Sequence, residues 1–329
     1  NYYSSAPTLQ DALRNVVIDS PRQLYAAQLE LIILSEEAAT NHMPEILEYF
    51  SREPESRTEV KFVIARGDDS TKAVTIQTLL TNFSSSNIKQ SLELQQKVLG
   101  LTPVYTLNEL LNMYLDPTLE ISLPSIIVYG NAEEGDKKEN ITTSTPKALT
   151  KIGTTAIFKG KDFLGYLTEE ESKVHSIITG STKESIINLD YKDNYSVFEL
   201  YKIESDISPD IKDNKITLNI SGKARIKEFH SNTNITKAKE TDRLNKELNK
   251  HIEDIIKKNF NSMREKYNTD IFSFRQSFYR ENPKYYNTHY KDTWYESIFP
   301  NLTLEVKSNI KLYEKGNTLG GIEYENKNN

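Results

Sequence analysis

The sequence predicts a multi-domain protein of mixed class: an N-terminal α/β region followed by a C-terminal antiparallel sheet covered by a long helix, an α+β arrangement. Three observations carry this. Short apolar runs, "LELIIL" (29–34), "EVKFVIARG" (59–67) and "SIIVYG" (125–130), alternate with helical patterns in the first part of the chain. Longer runs at 185–191, 196–211 and 215–229 alternate apolar and polar residues for part of their length, as half-buried antiparallel strands do. A stripe of Leu244, Leu248, Ile252, Ile255, Ile256, Phe260, Met263 and Tyr267 then marks one long helix over 236–267.

Each element has a local reason. Thr8 caps a first helix whose Leu9, Ala12, Leu13, Val16 and Val17 recur three and four apart. Ser35 caps a second, opened by Glu36 and Glu37, whose charges suit the positive end of a helix dipole. Pro44 to Phe50 adds a further helical stretch, and 70–115 is helical by pattern, with Thr106 capping "LNELLNMYL" and Asp116-Pro117 ending it. Residues 131–150 are polar and read as a surface loop or linker.

"TAIFKGKDFLGYLTEEES" (155–172) reads as a hairpin feeding a helix. Its strands are Thr155–Phe158 and Phe163–Leu167, and Thr168 with Glu171 has the spacing of a capping box. Gly160 permits the turn, and Gly165 suits a close backbone approach. The chain then decays through "TGSTK" (179–183), a joint. The expected domains are 1–180, as one region or two subdomains, with a helical part at 70–116 and the polar loop at 131–150, then 184–319 and a tail at 320–329.

In the C-terminal part, Asp213-Asn214 forms a turn between strands. Lys246, Glu247, Lys250, Glu253, Lys257 and Lys258 give the long helix a solvated outer face. A helix over Ile271–Arg280, an aromatic-rich stretch and a last strand over Leu302–Leu312 complete the pattern.

Composition excludes several function classes. The 329 residues are 37% hydrophobic and 27% charged, enough for two or three domains with a wet surface. A net charge of −6 argues against general nucleic-acid affinity. The absence of cysteine excludes disulfides, thiolate metal sites and cysteine nucleophiles. No apolar run is long enough to span a bilayer. The start at Asn1, without a methionine or signal peptide, is read as that of a piece of a longer chain.

The residues give no catalytic, cofactor or metal site. His42, His175, His230, His251 and His289 are not spaced as metal ligands. Glu36-Glu37 and Glu169-Glu170-Glu171 open helices, and Glu133-Glu134 lies in the polar stretch, so no acid–base pair stands out. Glycine-rich phosphate loops and a G-x-S-x-G elbow are absent from the sequence. Sequons at Asn140, Asn219, Asn234 and Asn301 are read as a by-product of an asparagine-rich composition.

The segment "TTAIFKGKDFLGYLTEEES" resembles the hairpin–helix signature of the Ger(x)C family, the C subunits of nutrient germinant receptors in spore-forming bacteria. "YNTDIFSFRQSFYRENPKYYN" (267–287) is similar to the family's segment after its long charged helix. "WYESIFPNLTLEVKSNIKL" (294–312) resembles its closing strand, and residues 29–67 its N-terminal strand–helix–strand block.

The resemblance implies a non-enzymatic lipoprotein on the outer face of the spore inner membrane. It would be held by an N-terminal lipid anchor absent from this chain and would act beside the membrane A and B subunits, with no nucleic-acid partner and no cofactor. A solute-binding module that captures a germinant is the alternative, and a cortex hydrolase a third class. For partner contact the candidates are Tyr285, Tyr286 and Tyr290, either exposed on a loop as interface anchors or capping the end of the C-terminal core.

Overall fold

A computed structural model describes residues 2–20, 26–53, 59–67, 72–76, 84–137, 139–142, 144–192, 194–231, 234–235 and 237–314. They fall into two compact units, Asn1–Leu94 with Val104–Tyr166, and Gln95–Pro103 with Leu167–Asn329. The expected tail at 320–329 lies outside the described residues.

The first unit contains α1 (Leu9–Asn15), β1 (Leu31–Ser35), α2 (Glu36–Asn41), α3 (Met43–Arg52) and β2 (Lys61–Ala65). α4 (Ser84–Val98) passes its last turn to the second unit. Then come α5 (Leu107–Leu115), β3 (Ser122–Leu123), β4 (Ser125–Gly130), α6 (Ala132–Gly135), α7 (Glu139–Thr142), β5 (Ala148–Ile152), β6 (Ala156–Lys159) and β7 (Asp162–Tyr166). One sheet has the order β1-β2-β4-β5, with β5 antiparallel and the others parallel; a small antiparallel sheet has the order β3-β6-β7.

β2 is apolar without alternation because helices cover both its faces. Phe62 and Ile64 pack with Leu34, Met43, Leu47, Leu107 and Leu110 on one side. Val63 and Ala65 pack with Leu31, Ile88, Leu92 and Ile126 on the other. The three predicted caps at Thr8, Ser35 and Thr106 all accept from backbone N–H groups of their helices.

Two readings of this unit are corrected. The helical pattern at 70–115 is interrupted, since 99–105 is not helical; 70, 71 and 77–83 lie outside the described residues. The stretch 131–150 is not a loop: it carries α6, α7 and the start of β5. Its polar Asn140 is buried, with Oδ1 accepting from the Lys147 and Ala148 N–H groups and Nδ2 donating to the Ala148 carbonyl. One side chain stands in for a neighbouring strand, which composition conceals. Gly160 and Gly165 both need positive φ (58° and 130°), but no atom lies within 4 Å of a Cβ added at Gly165. Backbone conformation explains that glycine, rather than close approach.

The second unit contains α8 (Glu169–Ile178), β8 (Glu184–Tyr191), β9 (Asn194–Asp210), β10 (Lys215–Phe229), α9 (Ala238–Tyr267), α10 (Phe274–Glu281), α11 (Pro283–His289) and β11 (Thr303–Glu314). Its sheet has the order β11-β10-β9-β8. β8, β9 and β10 are antiparallel, and Asn214 (φ 46°) makes the predicted turn. β11 departs from the antiparallel pattern and runs parallel to β10, because α9 carries the chain back to the end at which β10 began.

The apolar stripe of α9 is buried at Leu244, Leu248, Ile252, Ile256, Phe260 and Met263, while Ile255 and Tyr267 are only half-buried. The capping box at Thr168 has both halves: Glu171 N–H donates to Thr168 Oγ1, and Thr168 N–H to the Glu171 carboxylate. "TGSTK" is no loose joint. Thr182 is buried and donates to the Glu184 carbonyl at 2.6 Å, and Gln96 donates to the Ser181 carbonyl at 3.1 Å.

Candidate functional site

The three tyrosines proposed for partner contact separate in the structure. Asn282 caps α11 and Pro283 opens it, so Tyr286 and Tyr290 lie one turn apart and both face inward. Tyr286 is 1% exposed and Tyr290 6%. Their rings lie 6.3 and 6.4 Å from Trp294, and Tyr290 meets Phe278 edge-on at 5.7 Å. The Tyr286 hydroxyl accepts from Arg275 Nε, and the Tyr290 hydroxyl donates to the Ile211 carbonyl. The exposed-anchor reading is therefore corrected for both, because large aromatics at this spacing bury wherever a core is in reach. Tyr285 is half-buried, its ring 4.4 Å from His289.

Three buried titratable groups, His175, Asp270 and Glu171, hold parts of the fold in place. His175 on α8 is fully buried, and its Nε2 donates to the Ile271 carbonyl at 3.0 Å. Burial pushes its pKa down to about 4, so the ring is neutral at neutral pH. Asp270 accepts from the N–H groups of Phe272, Phe274 and Arg275 and so shapes the entry to α10. Glu171 accepts from Ser262 as well as from its own cap.

In the first unit, a polar clasp sits where β1 and β2 end. Glu36 accepts from the Tyr166 hydroxyl at 2.5 Å and from Gly67 N–H at 3.1 Å. The Arg66 guanidinium lies 3.6 Å over the Tyr166 ring and donates to Thr154 Oγ1 at 2.7 Å. Burial, then the bond to Glu36, pushes the Tyr166 hydroxyl well above its ordinary pKa. Ligands of open α/β sheets gather outside such strand ends; here Tyr166 fills part of that position and engages Glu36. Sequence reasoning gave Glu36 only its helix-start role, since its partners lie 31 and 130 residues away.

A second feature missed from sequence lies along α9. Glu253 Oε1 accepts from Ser308 N–H at 2.9 Å, Asn249 Oδ1 from Ile310 N–H at 2.7 Å, and Asn245 Oδ1 from Leu312 N–H at 2.8 Å. Spaced four apart, these side chains close the free edge of β11 as a further strand would. His251 Nε2 bonds the Asn188 carbonyl of β8 at 2.8 Å, so α9 holds both edge strands of the sheet. Glu253 is thus removed from the solvated face expected of it.

The outer face of that sheet stays open to solvent. An open groove of about 430 Å³ crosses β9, β10 and β11 and is lined by Glu204, Asp206, Asn219, Ser221, Lys307 and Asn309, among others. Among the described residues, the side chains of Glu204, Asn219, Ser221 and Asn309 have no hydrogen-bond or ion-pair partner. Also among the described residues, no cluster of three potential metal ligands forms and no helix is long and apolar enough to cross a membrane.

Comparison with known proteins agrees along the chain. Residues 153–316 match the family model "Spore germination B3/ GerAC like, C-terminal", and residues 1–128 match "Spore germination protein N-terminal domain". Spore germination protein KC of Bacillus subtilis (strain 168) is 22% identical over 321 residues, 96% of this chain and 78% of that protein. Spore germination protein B3 of the same organism is 22% identical over 323 residues, 96% of this chain and 81% of that protein. The crystal structure of the GerBC protein superposes with a TM-score of 0.57 at 19% identity, covering 91% of this chain and 83% of that one, and so shares the fold. With both units matched in order, the chain belongs to the Ger(x)C family of spore germination proteins.

Proposed function

We propose that the chain is a non-enzymatic C subunit of a spore germinant receptor, acting as a scaffold or signalling element beside the membrane A and B subunits. The observation that carries this reading is how the chemistry-bearing groups are used. His175, Asp270, Glu171 and Glu36 each hold backbone or neighbouring side chains in place, as a protein built to present surfaces requires. An N-terminal lipid anchor would hold the folded units on the outer face of the spore inner membrane, raising their effective concentration near the partners. Of the three tyrosines considered for partner contact, Tyr285 alone keeps appreciable surface, and Tyr279 (39% exposed) lies on the neighbouring helix α10.

Deleting the gene tests this reading. Spores lacking the protein should lose the response to one class of nutrient, regained on complementation. Spores that germinate normally with every nutrient would count against it.

The open groove favours a second reading, direct capture of a polar solute. Calorimetry of the chain with amino acids, sugars and nucleosides separates the two. Saturable one-to-one binding promotes solute capture, and its absence leaves the subunit reading.

A further inference from the structure

The outer face of the C-terminal sheet carries a charge pattern complementary to itself. Register places Asp206, Asn219 and Lys307 side by side on β9, β10 and β11, and Glu204, Ser221 and Asn309 on the next rung of the same face. The β9 side is acidic; the β11 side carries Lys307 and Lys311 beside Glu305, which pairs with Lys215 and, at 3.4 Å, with Lys307; and the β10 floor between them is small and neutral at Thr217, Asn219 and Ser221. Glu204, Asp206, Lys307, Asn309 and Lys311 are all exposed. Neighbouring strands lie about 4.8 Å apart, so the two flanks are separated by about 10 Å.

We propose that this face docks weakly on the same face of a second copy of the chain, about a two-fold axis parallel to β10. That axis carries β9 of one copy over β11 of the other. Asp206 then faces Lys307 of the second copy, and the reciprocal pair forms by symmetry. On the next rung Glu204 faces an Asn309 amide, and along the axis Asn219 meets its own equivalent. One rung further, Lys311 of the second copy comes opposite Tyr201, whose ring the Arg225 guanidinium of its own chain already covers at 4.7 Å. Lys223 is the like-charge element on the axis; it lies folded over the Tyr313 ring, 4.1 Å from its centre.

The unpartnered side chains of Glu204, Asn219, Ser221 and Asn309 support this assignment. They contrast with the polar side chains on the α9 side of the sheet, Asn245, Asn249 and Glu253, which bond to β11. Three strands over four rungs cover roughly half of the ~800 Å² per partner that a stable complex needs. The dimer is accordingly transient and electrostatic, and it weakens with salt.

Sedimentation of the whole chain from micromolar to millimolar concentration tests the proposal. At low ionic strength it should show a reversible monomer–dimer equilibrium that salt weakens. Asp206→Lys and Lys307→Asp should each raise the dissociation constant by about tenfold or more, because each reversal affects both symmetry-related pairs. Mixing the two variants, or joining both changes in one chain, restores opposite charges at both pairs and should restore association. A chain that stays monomeric throughout, a dimer indifferent to either reversal, or a loss that neither combination rescues would each overturn the proposal. None of these outcomes bears on membership of a receptor, since no other subunit takes part.

Discussion

Asn249 shows how much one side chain can carry. Its carboxamide accepts from Ile310 N–H and Ser308 Oγ and donates to the carbonyls of Ile310 and Asn245. Truncation leaves the Ile310 groups without this partner on a strand edge covered by a helix. Asn249→Ala should therefore cost roughly 2–4 kcal/mol, whereas Lys250→Ala, on the exposed face, should stay within about 0.5 kcal/mol. Urea unfolding midpoints compare the two, and hydrogen exchange at Ile310 should speed up only in the first.

His175 gives a pH dependence with a defined sign. Its folded pKa of about 4 lies below the ordinary histidine value of 6.5. As pH falls below about 6.5 the unfolded chain takes up a proton that the folded chain refuses, so stability is lost until the folded ring itself protonates near pH 4. The loss attributable to this residue is roughly 3 kcal/mol at about 1.4 kcal/mol per pKa unit. His175→Gln retains a donor for the Ile271 carbonyl and removes the titration. Its stability should fall less steeply than the parent's between pH 6.5 and 4; parallel curves would contradict the assignment.

At the scale of elements, what the sequence revealed was local and what it hid was long-range. The caps at Thr8, Ser35, Thr106 and Thr168 were legible because cap and helix are adjacent in the chain. β10 was legible from the apolar–polar alternation of its first half, Lys215–Ser221. By contrast, α6, α7 and the buried role of Asn140 were hidden in a polar stretch, and the clasp at Glu36 depends on a tyrosine from β7. The amide ladder of α9 also evaded pattern reading, since Asn245, Asn249 and Glu253 resemble any solvated helix face until β11 lies beside them.

The aromatic stretch around α11 follows the same rule. Tyrosines among polar residues fit an interface or a core equally well, and only Trp294 and Phe278 decide between them. Tyr286→Ala and Tyr290→Ala should each cost about 3–5 kcal/mol and lower the melting temperature by many degrees. Tyr285→Ala should lower it far less. Equal, small shifts for all three would return Tyr286 and Tyr290 to the surface.

At the scale of the whole molecule, family membership rests on matches spread over both units, in order, at low identity. This is the pattern expected when a fold is kept while individual residues drift. His175, Asp270, Glu171 and Glu36 hold strands, caps and helix entries, and the groove on the C-terminal sheet is lined by polar side chains. The most direct test of the subunit reading is affinity purification of the tagged full-length protein from detergent-solubilised spore inner membranes, followed by mass spectrometry. The account predicts that the membrane A and B subunits co-purify with it. Recovery of the tagged protein intact, with neither subunit above the level of an untagged control, would contradict it.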